Sequence, residues 1–446
     1  MAQVVRPPES VPWAGRLEIA RLAFPILYGE VVGVITPLVI VAIMSRVDEE
    51  ALYLRSLYVP LALLFIALQM GLDISNQVAA ALSRGRGRPQ DVLPTAASMV
   101  VVGGAVWGAV ALAVIAGAPW IASLLEVPPG STADFVSFVR WICCANLLWL
   151  PVSLCTSSLR GYGHVRSAAG VVLLGAGVEI ATAAVLGFGT GLGMYALPIA
   201  MAAGGVAALS YAVLALVRTE VWRSREALNW RPEAVTHLAS VGGPITISFV
   251  VIAASNFGLM WVVAPFGPDV VSGFSAAAAL ETLILVPSTA IGSATAITMN
   301  RLRGAGRPDL VMSAMKAGLG LAWLTYSVLA LAVWLPRAPL ASLIAGAPDV
   351  AAQTELFLGI VGLTYGCMGI TVTAIVVIEQ IGGGFLALLL NIPYFLGTVA
   401  VGALFARAVG VQGLYWTLAL LNATGVLTAP LLASRFVRRR FSGGPR

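Results

Sequence analysis

Arg84-Gly85-Arg86-Gly87-Arg88-Pro89 and Arg303-Gly304-Ala305-Gly306-Arg307-Pro308 are two versions of one basic turn, each set between long apolar runs. The second follows the first by 219 positions (303 minus 84), close to half of the 446 residues. The same offset relates Pro25 to Pro244 and Gly163 to Gly382. A period this long signals two folded halves rather than a stack of small modules.

Outside these turns the chain is 59% hydrophobic and 10% charged, with a mean hydropathy of +0.93, well beyond soluble globular usage. About twelve apolar runs reach the length of roughly 18 residues needed to span a bilayer. In hydrocarbon such a run must be helical, because only a helix pairs its backbone N–H and C=O groups internally. The expected fold is therefore an all-α integral membrane protein: twelve transmembrane helices in two parallel six-helix bundles around a central cleft. The expected division is 1–217 for the first lobe, 218–238 for a charged cytoplasmic linker, and 239–446 for the second lobe with a basic tail. No cleavable signal is expected, since the first run is span-length and follows Pro7, Pro8 and Pro12.

Charge gives the orientation, because Lys and Arg are retained on the cytoplasmic side. With the N-terminus inside, twenty-one of the 26 basic residues fall in inner segments, leaving Arg46, Arg55, Arg140, Arg337 and Arg407 outside. Both termini are then cytoplasmic. The net charge of +6 reflects topology and an anionic inner leaflet, so the partners expected are the lipid bilayer and a small organic substrate, with no nucleic acid. The Arg-Gly turns lack the strand and Lys-Ser/Thr of a phosphate loop. Cys143, Cys144, Cys155 and Cys367 lie inside apolar runs, and His164 and His237 sit apart, so no metal site, cofactor or enzyme chemistry is expected.

A carboxylate inside a span is costly unless solvated, paired or protonated. Four acids qualify: Glu30 and Glu179, each about eleven residues into a span that starts inside, with Asp73 and Glu281. The repeat places Phe249, Thr398, Gly292 and Ala62 opposite Glu30, Glu179, Asp73 and Glu281, so fold symmetry does not demand these acids. A buried carboxyl holds its proton more tightly, and a neighbouring carboxylate adds to this, which suits proton exchange near neutral pH. Glu30 and Glu179 are expected to form a proton site, with Asp73 as helper or inner-gate residue. The alternative is that each acid caps a polar pocket and stays protonated. Pro37, about two turns beyond Glu30, is the hinge candidate. Tyr28, Met260, Tyr365, Met368 and Tyr394 can stack on a planar or cationic substrate, and Asn256 and Asn391 can supply polar contacts.

Ala23-Phe24-Pro25 opening the first span, Ser83 to Pro89 closing the second, and Leu159-Arg160-Gly161-Tyr162-Gly163-His164-Val165-Arg166 after the fourth resemble the multidrug and toxic compound extrusion (MATE) family, within the multidrug/oligosaccharidyl-lipid/polysaccharide flippase superfamily. Gly243-Pro244, Arg301 to Asp309 and Ile381-Gly382-Gly383 repeat the pattern in the second half. The resemblance implies V-shaped lobes in a bacterial plasma membrane. It implies a secondary antiporter, expected to be monomeric, exporting organic and often cationic compounds by alternating access in exchange for protons or sodium. The family's first-helix aspartate falls at Ile40, its seventh-helix glutamate near Ile252 and its tenth-helix acid near Met368; its fifth-helix Asn-x-x-x-Asp pair falls on Glu179 and Ala183. Those departures favour protons over a sodium cage. Uncoupled export, or flipping of a lipid-linked precursor, are the alternatives; the second would want basic residues deep in the cleft.

Overall fold

Long apolar stretches poor in charge leave the backbone no partner but itself, and the chain is helical almost throughout. The computed structural model describes residues 12–47, 49–190, 192–225 and 227–441. The extreme termini, and with them the expected side of the membrane for each, lie outside those residues. The helices are α1 (Pro12–Val47), α2 (Glu49–Gly85), α3 (Val92–Leu124), α4 (Thr132–Tyr162), α5 (Val165–Gly189), α6 (Ala196–Val217), α7 (Glu220–Arg223), α8 (Glu233–His237), α9 (Gly243–Val263), α10 (Pro268–Gly304), α11 (Val311–Trp334), α12 (Arg337–Ile344), α13 (Pro348–Val361), α14 (Tyr365–Ile378), α15 (Gly384–Val409) and α16 (Val411–Phe441). Among the described residues, eleven helical stretches are long and apolar enough to cross a membrane. One of them, Pro348–Val409, has 62 residues and is broken by a π-helical turn, Glu379–Gly383, in which Gly382 has φ 89°. At about 1.5 Å per residue it is roughly three times the hydrocarbon thickness, too long for one straight crossing.

The basic turns are helix stops. After α2, the Arg88 N–H donates to the Ser83 carbonyl at 3.0 Å and Gly87 takes φ 66°; after α10, Arg307 donates to Leu302 at 2.9 Å and Gly306 takes φ 68°. Both are Schellman closures, in which a left-handed glycine lets the last carbonyls find donors. A third ends α4, with His164 donating to Leu159 at 2.7 Å and Gly163 at φ 108°. The duplication extends to side chains: Arg84 donates to the Tyr162 carbonyl, and Arg303 donates to the Ile381 carbonyl at 3.2 Å. Both contacts map onto each other through the 219-residue offset (303 minus 84, 381 minus 162).

The chain divides into two compact units, Tyr28–Val250, and Val251–Arg446 together with the chain up to Leu27. In the first unit α4 packs between α2, α3 and α6, around Tyr58, Phe65, Trp107, Phe135 and Phe138. In the second, α10, α11, α13, α14 and α16 close over Tyr326, Phe357, Tyr365 and Tyr415. These boundaries fall inside α1 and α9, unlike the sequence-based division at 218–238. The reason is local bonding. The linker is tied to the first unit by Arg231 to Asp91 at 3.1 Å, the Arg231 N–H to Ser98 at 2.9 Å, and Arg86 to Glu233 at 3.8 Å. The start of α1 lies instead on α11, where Gly15 faces Ala317.

Gly163→Ala puts a Cβ into the left-handed region and is expected to cost about 1–2 kcal/mol. Thermal melting of the detergent-purified protein checks this: an unchanged midpoint would mean that the α4 stop does not need glycine.

Candidate functional site

Placement of the acids begins with small residues. At Gly175 of α5 and Gly204 of α6 the two backbones come close; a Cβ on Gly204 would stand 2.8 Å from both the Gly175 oxygen and the Glu179 Cβ. Two glycines thus let α5 and α6 touch and seat Glu179 against α6. From there Glu179, half-buried, interacts electrostatically with Arg55 of α2. Arg55 in turn donates through Nη2 to the Pro37 carbonyl of α1 at 3.3 Å. Four helices therefore converge around Glu179 and Arg55, and the hinge candidate Pro37 supplies the carbonyl that Arg55 bonds.

Gly29, the residue before Glu30, rests against Ala169 and Val172 of α5. Glu179 is seven residues further along α5 than Val172, roughly 10 Å along that helix. The residue whose charge bears on Glu179 is Arg55.

Asp73 is held otherwise. Its carboxylate is ion-paired with Arg160 of α4 and accepts a hydrogen bond from the Ser153 hydroxyl at 3.1 Å, with side-chain exposures of 13% for Asp73 and 18% for Arg160. Nearby, the Asn76 amide donates to the Leu154 carbonyl at 2.9 Å and meets the Ser157 and Ser158 hydroxyls at 2.8 Å. This network locks α2 to α4.

In the second unit Glu281 of α10 stands beside the hydroxyl of Tyr365 and interacts with Tyr394 of α15. Tyr394 donates to the Asn422 carbonyl oxygen at 2.6 Å, and the Asn422 amide donates to Thr364 at 3.1 Å. The cluster joins α10, the start of α14, α15 and α16 through neutral groups. Asn391 is buried and donates to Glu379 at 3.2 Å. Met368 and Tyr365 are buried in the unit, Tyr394 is half-buried, and Tyr28, Asn256 and Met260 are exposed on their helices.

Three residues of these networks escaped the sequence reading. Arg55 counted as an outer-loop charge because it lowers the hydropathy of any window that includes it. Arg160 counted as an inner-loop charge for the same reason. Glu379 fell one residue beyond the expected tenth span, 352–378. It lies at the position that the repeat assigns to Arg160 (379 minus 219), so comparing the halves residue by residue would have flagged it.

With this geometry in view, the sequence matches the MatE family over residues 25–185 and 244–404, one match in each half. The chain belongs to that family: it is a multi-pass membrane transporter and not an enzyme. It is 25% identical to the probable multidrug resistance protein NorM of Deinococcus radiodurans, over 95% of this chain and 96% of that one. It is 24% identical to an FAD transporter of Shewanella oneidensis, over 66% of this chain and 67% of the relative. In fold it resembles the Vibrio cholerae MATE transporter VcmN in its bent form, with a TM-score of 0.89 at 18% identity, covering 97% of this chain and 98% of that one.

Truncating Arg160 strands Asp73 without its cation. Arg160→Ala is expected to lower stability by about 2–3 kcal/mol, below the loss for a fully buried pair because both side chains keep some exposure. Urea or thermal unfolding in detergent measures it. If Asp73→Asn rescues none of the loss in the double variant, the pair is not what holds α2 to α4.

Proposed function

We propose that this transporter is a proton-driven antiporter that exports small organic compounds, amphipathic or cationic, by alternating access. The observation that carries the reading is that Glu179 and Glu281 sit on membrane-length helices, inside helical units, with no ion pair closing either carboxylate among the described residues. A carboxyl in that setting changes its interactions with every proton gained or lost. Asp73 differs, because its direct pairing with Arg160 and its hydrogen bond from Ser153 suit a structural role. Protons fit better than sodium, since no second carboxylate is described beside Glu179 or beside Glu281.

The break at Gly382 within the run of 62 residues supports two crossings there. That brings the total to twelve, in two parallel lobes about a V-shaped cleft, with both termini cytoplasmic in a bacterial plasma membrane. The protein works as a monomer in this reading. Relatives named as a multidrug resistance protein and an FAD transporter support small organic cargo. The convergence of Glu179, Arg55 and Pro37 gives a route for coupling, since a proton arriving at Glu179 weakens its pull on Arg55 and so bears on the hydrogen bond that Arg55 makes to α1 at Pro37.

Proteoliposomes carrying an imposed pH gradient and a fluorescent organic cation test the reading. Glu179→Gln is expected to lower gradient-driven transport at least about tenfold, and Glu281→Gln to lower it by a smaller factor. If the wild type moves the dye and both variants match it, coupling does not run through these acids. A wild type that moves the dye equally with and without the gradient is an uncoupled exporter.

A further inference from the structure

We propose that Arg55 recognises a carboxylate on the transported compound, so that the preferred cargo is an organic cation that also bears a carboxylate. This rests on the export reading above and names the substrate class of the same site. Arg55 stands on α2 inside the first unit, between Pro37 of α1 and Glu179 of α5. Its single hydrogen bond is long, 3.3 Å from Nη2 to the Pro37 carbonyl. Its Nη1 is buried and has no hydrogen-bond partner among the described residues. Glu179 is close enough to interact through charge, yet no ion pair forms between them.

Arg160 in the same unit shows what a closed pair looks like: direct contact with Asp73 and a serine on the second carboxylate oxygen. Arg55 has no such ion pair: its Nη1 is buried without a partner among the described residues, and Nη2 makes one long, exposed hydrogen bond, so what separates the two arginines is the absent carboxylate contact. An unmet buried donor is destabilising unless something polar fills the gap. The planar guanidinium fork matches a carboxylate in two parallel hydrogen bonds, which a lysine cannot reproduce. Glu179, across from it, presents the complementary charge. A molecule with a carboxylate and a cationic centre a short distance apart satisfies both residues at once, whereas a purely cationic molecule meets repulsion at Arg55. The acid that takes the proton and the base that holds the carboxylate are then adjacent, so protonation of Glu179 releases the cationic end of such a cargo.

Rhodamine 19 and rhodamine 6G separate the two cases, because the second is the ethyl ester of the first and keeps its cationic ring system. Binding to the full-length protein in detergent is followed by dye anisotropy. Arg55→Gln is expected to weaken binding of the acid about tenfold and of the ester less than about twofold, with Arg55→Lys between wild type and Gln for the acid. Equal weakening of both dyes, no weakening of either, or a wild type that does not bind the acid overturns the proposal. Should the Gln variant fail to fold, Arg55→Lys with an unchanged melting midpoint decides by the same criterion. Acid-selective binding without gradient-driven movement of the acid would uphold Arg55 as the recognising residue and sink the proton-antiport reading instead.

Discussion

A backbone N–H or C=O in hydrocarbon has no water to turn to, and the rest of this structure follows from that constraint. It makes each membrane-length segment a helix and forces every helix end to be closed by something. Here the closures are written into the sequence as Arg-Gly turns. Left-handed Gly87, Gly163 and Gly306 let the chain turn back on the last carbonyls, while Arg84 and Arg303 donate to carbonyls of the neighbouring turn. The basic residues that set orientation during insertion therefore also hold the turns together. Arg440 does the same near the end of α16, donating to the Gly382 carbonyl at 2.7 Å.

The same constraint governs the charges placed at depth. Each acid has its own solution. Asp73 is closed into an ion pair, Glu379 is met by the Asn391 amide, Glu281 stands among tyrosines, and Glu179 faces an arginine that it does not reach. A closed pair resists change and fixes two helices. An open one has an interaction to gain or lose whenever a proton or a charged cargo arrives. The two arginines of the first unit differ in that Arg160 is closed onto Asp73 and Arg55 reaches no carboxylate among the described residues.

Duplication supplied the frame and divergence supplied the chemistry. The stop motifs keep their glycines in both halves because the helix ends need them. The acids are not repeated: position 160 is arginine in one half, and its counterpart 379 is glutamate in the other. The two units solve the same folding problem and carry different charges.

Sequence alone determined the solvent, the helical class, the duplication and the stop signals, because each depends on local composition or on a residue's own backbone freedom. Hydropathy and a glycine at a turn need no tertiary context to be read. It also picked out Glu179, Glu281 and Pro37, since an acid or a proline in an apolar run stands out by itself. The tertiary structure decided who faces whom. The sequence counted Arg55 and Arg160 as loop charges, and the fold turned both inward onto acids more than eighty residues away. Equal distances from the starts of two spans suggested that Glu30 and Glu179 meet. The fold seats Gly29 on Ala169 and Val172, because helix register is set by where two surfaces of small residues fit, and that is a property of both helices together.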